Sequence, residues 1–324
     1  MPAPELPAGL RHRPLQVEDA AALAELRFAI EEVDRFGDHA DVADCTRELG
    51  YPSVELADAS ALVFDGAKAV AYVLLSSGSG LDVGPFLRGR GGVHPTHRGR
   101  GIGTALVRWV REVAAAKYVT LLLTVQDADP AAVVVAERTG LVPGRRWADL
   151  TRDLAVPVTP APVPDGLRLL RLGPGYDPAR WDGPLRAAHN AAFADHWGSP
   201  PISAQSWVHG RTGNSNFRPE ASVATMAPDG EVAGYVLGFE YDSATARTGV
   251  RELLVHTVGT VPAWRGRGVG AAMMAYVLAT AASLGYERSG LSVDTRNPTG
   301  AVGVYERAGY TLERTAVVYS SRAL

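Results

Sequence analysis

The chain has 324 residues and a mass of 34.3 kDa, enough for two domains of ordinary size, each able to bury a real core. Hydrophobic residues make up 46% and charged residues 21%, which excludes the disordered and fibrous classes. A net charge of −3 leaves no basic footprint for nucleic acid or an anionic membrane, so neither is expected as a partner.

The segment Met1–Arg13 lacks the apolar core of a signal peptide, and no run approaches the ~18 apolar residues of a membrane span. The expected location is the cytoplasm. Cys45 is the only cysteine, which excludes a disulfide framework and Cys-based zinc sites. The eight histidines are scattered, with no His-Glu-x-x-His pairing, so no metal is expected.

Along the chain, the first organised signal is Val93-His94-Pro95-Thr96-His97-Arg98-Gly99-Arg100-Gly101-Ile102-Gly103, followed by a helical pattern. Asp129-Pro130 and Glu137-Arg138-Thr139-Gly140-Leu141 come next. Then Ala155–Gly166 carries Pro157, Pro160, Pro162 and Pro164, which forbid a helix and a central strand. It reads as a semi-rigid linker.

Beyond it the same signals return in the same order: Thr260-Val261-Pro262-Ala263-Trp264-Arg265-Gly266-Arg267-Gly268-Val269-Gly270, Asn297-Pro298, and Glu306-Arg307-Ala308-Gly309-Tyr310. The spacing drifts by single residues, as in a tandem duplication. The expected domains are 1–154, a linker 155–166, and 167–324.

Each half reads as β-α-α-β-β-β-α-β-α-β. In the second half, strands are expected at Leu167–Arg171, Ser222–Met226, Glu231–Tyr241, Glu252–Val261, Leu291–Val293 and Thr311–Tyr319. Helices are expected at Ala179–Ala194, Ser203–Thr212, Val269–Leu284 and Thr299–Arg307. Asp229-Gly230 marks a hairpin turn. The fold class is α/β, with a mixed central sheet flanked by helices in each domain.

The chemistry concentrates in Arg265–Gly270 and its twin Arg98–Gly103. Glycines between a strand and a helix let backbone N–H groups approach a ligand, and the helix N-terminus adds partial positive charge. Arginine adds forked donors for phosphate oxygens. A Walker loop needs Gly-Lys-Ser/Thr, which is missing. A dinucleotide fingerprint is met only as Gly266-x-Gly268-x-x-Ala271. Both copies match Arg-x-x-Gly-x-Gly, the turn of acyl-CoA binding, with Pro three residues ahead.

On these residues, together with Asn297-Pro298-Thr299-Gly300-Ala301 and Tyr305–Tyr310, the whole chain resembles the GNAT acetyltransferase superfamily, twice over. Its Pro-linked layout looks like that of the tandem acetyltransferases of actinobacteria, the mycothiol synthases among them. The resemblance implies acetyl-CoA as co-substrate, a primary amine of a small molecule as acceptor, and direct transfer in a ternary complex. It implies a catalytic C-terminal half and a degraded N-terminal half.

Cofactor contacts are then expected at Arg265, Gly266, Arg267, Gly268, Val269, Gly270 and Asn297, and in the first half at Arg98, Gly99, Gly101 and Gly103. A backbone N–H near Thr260 and Val261 would polarise the thioester carbonyl. Tyr305 falls on the position of the acid that protonates the leaving thiolate. The tandem group's Glu falls on Leu254, a departure. Glu252 and His256 flank it on the same strand face and are the candidates for the base. Asp195, His196 and Trp197 are candidates for acceptor binding.

In the first half, Leu87 and Gly89 stand where Leu254 and His256 stand, and Glu137 or Ala136 replaces Tyr305. A non-catalytic acyl-CoA sensor and an O-acyl or longer-chain acyltransferase are the alternatives. Oligomeric state is not legible.

Overall fold

The computed structural model describes residues 3–80, 82–297 and 299–323; Pro298 of the second Asn-Pro pair lies outside them. In chain order the elements are β1 (Leu10–Arg13), α1 (Ala20–Asp34), α2 (Val42–Leu49), α3 (Leu56–Ala59), β2 (Ser60–Asp65), β3 (Lys68–Gly80), β4 (Gly84–Val93), α4 (Ile102–Ala116), β5 (Thr120–Gln126), α5 (Pro130–Arg138) and β6 (Val142–Asp153). There follow β7 (Arg168–Arg171), α6 (Pro178–Ala192), α7 (Ala204–Trp207), β8 (Val223–Met226), β9 (Val232–Phe239), α8 (Asp242–Thr248), β10 (Glu252–Thr260), α9 (Val269–Ser283), β11 (Arg288–Asp294), α10 (Ala301–Arg307) and β12 (Thr311–Ser320).

The chain forms two compact units, and their boundaries differ from the expected ones. One unit is Met1–Arg146 with Arg314–Leu324; the other is Trp147–Glu313. In the first, β12 closes the sheet by pairing antiparallel with β5, from Ala316↔Gln126 to Ser320↔Leu122. In the second, the Trp147–Asp153 part of β6 pairs with β11. Each half thus gives up its last strand to the other unit, a topology that no local sequence signal encodes. The Pro-rich segment belongs to the second unit: the Arg152 guanidinium donates to the carbonyls of Val156 and Pro157, and Val158 packs on the core.

Each unit contains both parallel and antiparallel strand pairs. β4 and β5 run parallel and pair only from Phe86↔Thr120 to Gly89↔Leu123. β10 and β11 pair only from Glu252↔Arg288 to Leu254↔Gly290. Beyond those residues the two parallel strands are no longer paired.

One irregularity separates the copies. The β3–β4 ladder runs without a break from Ala71↔Val93 to Gly80↔Gly84. The β9–β10 ladder steps from Val255↔Gly238 to Thr257↔Leu237, leaving His256 as an extra residue in a β-bulge. Matching the ladders puts Arg90 on Thr257, Gly89 on Val255 and Arg88 on Leu254. His256 therefore has no counterpart, and the expected equivalence of Leu87 and Gly89 with Leu254 and His256 is off by the inserted residue.

The second unit carries two apolar clusters. One joins α9 to Leu253, Val255, Leu291 and Tyr305; the other joins α6 and Trp207 to Tyr235, Leu237 and Phe239. Alternation along β10 places Leu253 and Val255 in the first cluster and Leu254 against the second. The helix expected at Ser203–Thr212 is present and begins as one α-turn, α7, that runs directly into a π-helical turn, Val208–Thr212.

Beside the core, buried Glu240 accepts from Arg218 Nε (2.9 Å), Arg251 Nε (2.6 Å) and Tyr286 Oη (2.7 Å). Burial opposes its charge, but these donors outweigh it and bring its pKa down to about 2. A depressed carboxylate stabilises the fold above its unfolded pKa near 4.5 and loses that contribution as pH falls toward 2. Glu240→Gln should cost about 3 kcal/mol at pH 7. Urea melts should show the gap to wild type shrinking between pH 4.5 and pH 2.5.

Candidate active site

β10 ends at Thr260, and a short turn, Pro262–Trp264, leads into the glycine-rich segment. Gly266 (φ +71°) and Gly268 (φ +85°) take left-handed backbone, and Gly268 is the N-cap of α9. A Cβ built on either meets no atom within 4 Å, so the turn is open on its outer side. The N–H groups of Val269 and Gly270, in the first turn of α9, have no intrahelical acceptor. Backbone donors, an open approach and a helix N-terminus together fit a pyrophosphate.

The two arginines of the turn have different tasks. Arg265 is committed within the protein: Nε donates to the Thr260 carbonyl (3.2 Å), Nη1 and Nη2 to Asp195 (2.5 and 3.0 Å), and Nη2 also to the Ala192 carbonyl (2.8 Å). This removes Asp195 from the expected role of ammonium partner; the guanidinium holds its carboxyl below the usual range. Arg267 is exposed and stacked over Trp264 at 5.0 Å, and no carboxylate among the described residues pairs with it. It is the side chain of the turn available to an anion.

The first unit repeats the frame with a different charge balance. Gly99 and Gly101 are again left-handed. Arg98 donates to both oxygens of Asp34 (2.7 Å each) and to the Val93 carbonyl. Arg100, however, faces Asp65 at 3.6 Å. Both arginines of this turn are therefore paired with carboxylates.

The two N–H groups expected near the thioester carbonyl, those of Thr260 and Val261, face opposite edges of β10. Val261 N–H donates to the Ala233 carbonyl at 2.9 Å and is spent there. Alternation in the ladder then turns the N–H groups of Val258 and Thr260 to the opposite edge, where β11 has ceased to pair. The N–H groups of Val258 and Thr260 are thus spent on neither neighbouring strand.

Neither candidate base is a free carboxylate or an ordinary imidazole. Glu252 accepts from Arg288 Nε, its partner across the parallel ladder, and sits at the opposite end of β10 from Thr260. His256 lies on the bulge, half-buried, its ring stacked on Phe239 at 4.3 Å and its Nδ1 bonded to Thr257 Oγ1 at 2.9 Å. Burial, with smaller contributions from Arg211 and His189, drops its pKa well below the usual histidine range. It is a neutral imidazole near pH 7 and a weak proton acceptor.

Tyr305 sits on α10, buried, edge-to-face with Tyr310 at 6.1 Å. Burial pushes its phenol up to about 12, so it stays protonated. The helix ends settle its counterpart. Tyr310 N–H donates to the Tyr305 carbonyl, and Leu141 N–H donates to that of Ala136. A buried Ala136 methyl thus takes the place of the phenol in the first unit, not Glu137.

Asn297 Oδ1 accepts from Thr299 N (2.9 Å), which leaves Nδ2 to donate to His196 Nε2 at 3.2 Å. Trp197 is buried. A cluster the sequence reading passed over lies behind α6. His189 Nδ1 bonds Tyr235 Oη at 2.6 Å, with Trp207 against the imidazole at 5.6 Å. Burial holds His189 down near a pKa of about 4. Gly259 makes room for this tyrosine, since a Cβ there would meet the Tyr235 ring at 2.5 Å. Tyr72 holds the matching ladder position in the first unit, and the repeat was the signal that could have found the pair.

The model of the acetyltransferase (GNAT) family matches residues 53–141 and 185–310, more than half of the chain and once in each copy. The chain belongs to the GNAT acetyltransferase family. Its reaction is acetyl transfer from acetyl-CoA to an amine.

Among relatives, a mycothiol acetyltransferase of Salinispora tropica is 30% identical over 298 residues, covering 91% of this chain and 90% of its own. One from Streptomyces coelicolor is 29% identical, covering 95% and 96%. Among solved structures, a GCN5-related N-acetyltransferase from Sphaerobacter thermophilus aligns with a TM-score of 0.71 at 26% identity, covering 97% of this chain and 96% of its own. A tandem GNAT protein from the clavulanic acid biosynthesis pathway aligns at 0.70 with 18% identity, covering 96% and 98%. The tandem GNAT layout expected from the repeats is borne out by the two regions that the family model matches, and the last of these structures is itself described as a tandem GNAT protein. No helix among the described residues is long and apolar enough to cross a membrane.

Proposed function

We propose that this GNAT protein is a cytoplasmic enzyme that acetylates a primary amine of a small molecule by direct transfer, with catalysis confined to the second unit. The observation that carries the asymmetry is Tyr305 against Ala136: one copy has a buried, protonated phenol and the other a methyl group. The bulge at His256 and the unpaired Arg267 point the same way.

When bound, acetyl-CoA supplies an activated thioester. Val269 and Gly270 N–H groups and Arg267 would hold its pyrophosphate. The N–H groups of Val258 and Thr260 would receive the carbonyl oxygen as it gains charge, and donors fixed by the strand need no reorganisation. Tyr305 supplies the proton that the departing sulfur takes up. Cys45 takes no part: it is buried in the first unit, and burial raises its thiol to about 11.

The amine enters already deprotonated, because the neutral His256 and the ion-paired Glu252 are both poor bases. The acid limb of kcat/KM should therefore follow the ammonium pKa of the acceptor used. Two acceptors differing by about one unit should shift the limb by about one unit, and His256→Gln should leave it in place. A limb fixed across acceptors and abolished by His256→Gln would make His256 the base.

The relatives' name makes a mycothiol-type amine the first acceptor to try. Coenzyme A release should be followed over a panel of thiol-bearing amino sugars, aminoglycosides, polyamines, amino acids and peptide N-termini. Turnover with at least one class is expected. Acetyl-CoA binding with no release on any amine would favour a sensor, and release on alcohols alone an O-acyltransferase.

A further inference from the structure

The motif arginine occupies the same place in both units. Arg98 and Arg265 each grip a carboxylate from just past or at the end of the first long helix of their unit, Asp34 and Asp195. Each also donates Nε to the carbonyl five residues earlier, at Val93 or Thr260. The grip persists in the unit that has lost the phenol, so it serves the shape of the turn rather than the chemistry. In the second unit the next residue extends it, since His196 Nε2 accepts from Asn297 Nδ2 in the loop before α10.

We propose that Arg265 is a positioning residue, not a phosphate ligand: with Asp195 it latches the glycine turn to the end of α6. Pyrophosphate is then left to backbone N–H groups and Arg267. The physical reason is competition. A guanidinium already bonded to two carboxylate oxygens and two carbonyls would have to break those bonds to reach a phosphate. A latched turn, by contrast, presents its N–H groups in a fixed array.

The proposal rests on the reading that this turn binds acetyl-CoA, and the two can fail separately. Acetyl-CoA dissociation constants should be measured by calorimetry for wild type, Asp195→Asn, Arg265→Gln, the double variant and Arg265→Lys, with thermal melts alongside. A latch predicts that Asp195→Asn and Arg265→Gln each weaken binding on the order of tenfold, that the double variant is no worse than either, and that Lys, lacking the fork, does not restore binding. Asp195 is half-exposed, so its variant should fold even if an Arg265 variant does not.

If Arg265 is instead a phosphate ligand, Asp195→Asn releases it and binding tightens or stays level, while Lys retains much of the affinity. That result overturns the latch and leaves the functional reading standing. Wild type that fails to bind acetyl-CoA overturns both.

Discussion

Replacing Tyr305 with Phe should lower kcat about 10²–10⁴-fold and leave the acetyl-CoA dissociation constant within about threefold of wild type. The ring stays, so its edge-to-face packing on Tyr310 and its place in the α9 cluster are kept. What goes is one O–H. A thiolate leaving without a proton is a poorer leaving group, and that cost falls on the transition state and not on cofactor binding.

The raised phenol adds a second test. A general acid is lost as pH rises through its pKa, and with that value near 12 the wild-type enzyme should show no basic limb from this group up to pH 10. Rapid-mixing measurement of thiol release, with and without Phe at 305, separates the chemical step from product release. A variant within threefold of wild type would return Tyr305 to a packing role.

The parts of this site that were legible in the sequence are those encoded locally. Gly266 and Gly268 announce a left-handed turn because only glycine adopts it cheaply, and Val269–Ser283 announces a buried helix by a long run of small and apolar residues on most faces. The hairpin at Asp229-Gly230 follows from turn chemistry, and Gly230 is indeed at positive φ.

What could not be read depends on pairing between distant strands. The extra residue at His256 is visible only against β9, because in sequence a bulge is one more residue in a strand. The Arg288 partner of Glu252 is defined by a parallel register 36 residues away. Arg265 and Asp195 are 70 residues apart, and each alone looked like a ligand for something outside the protein. The exchange of last strands is equally silent, because β6 and β12 have the same local pattern whichever sheet receives them.

Gly268→Val is expected to weaken acetyl-CoA binding at least about a hundredfold and, with it, kcat/KM. The position has φ +85°, where a β-branched residue is strained by about 1–2 kcal/mol. No atom lies within 4 Å of the added Cβ, so the folded core does not object to its volume. The damage is confined to the turn. Either the backbone relaxes and the first N–H groups of α9 lose their common direction, or it holds and the side chain stands on the open side where phosphate must approach.

Melting should therefore fall by only a few degrees while affinity collapses, and calorimetry beside a thermal melt shows whether it does. The twin change, Gly101→Val, meets the same backbone (φ +84°) and the same empty surroundings. It should cost similar stability yet leave kcat within about threefold, because that turn serves a unit with Ala136 in place of the phenol and both arginines paired. If Gly101→Val proves the more damaging to kcat in protein that melts normally, catalysis belongs to the first unit, or to both, and the assignment built on Tyr305 is wrong.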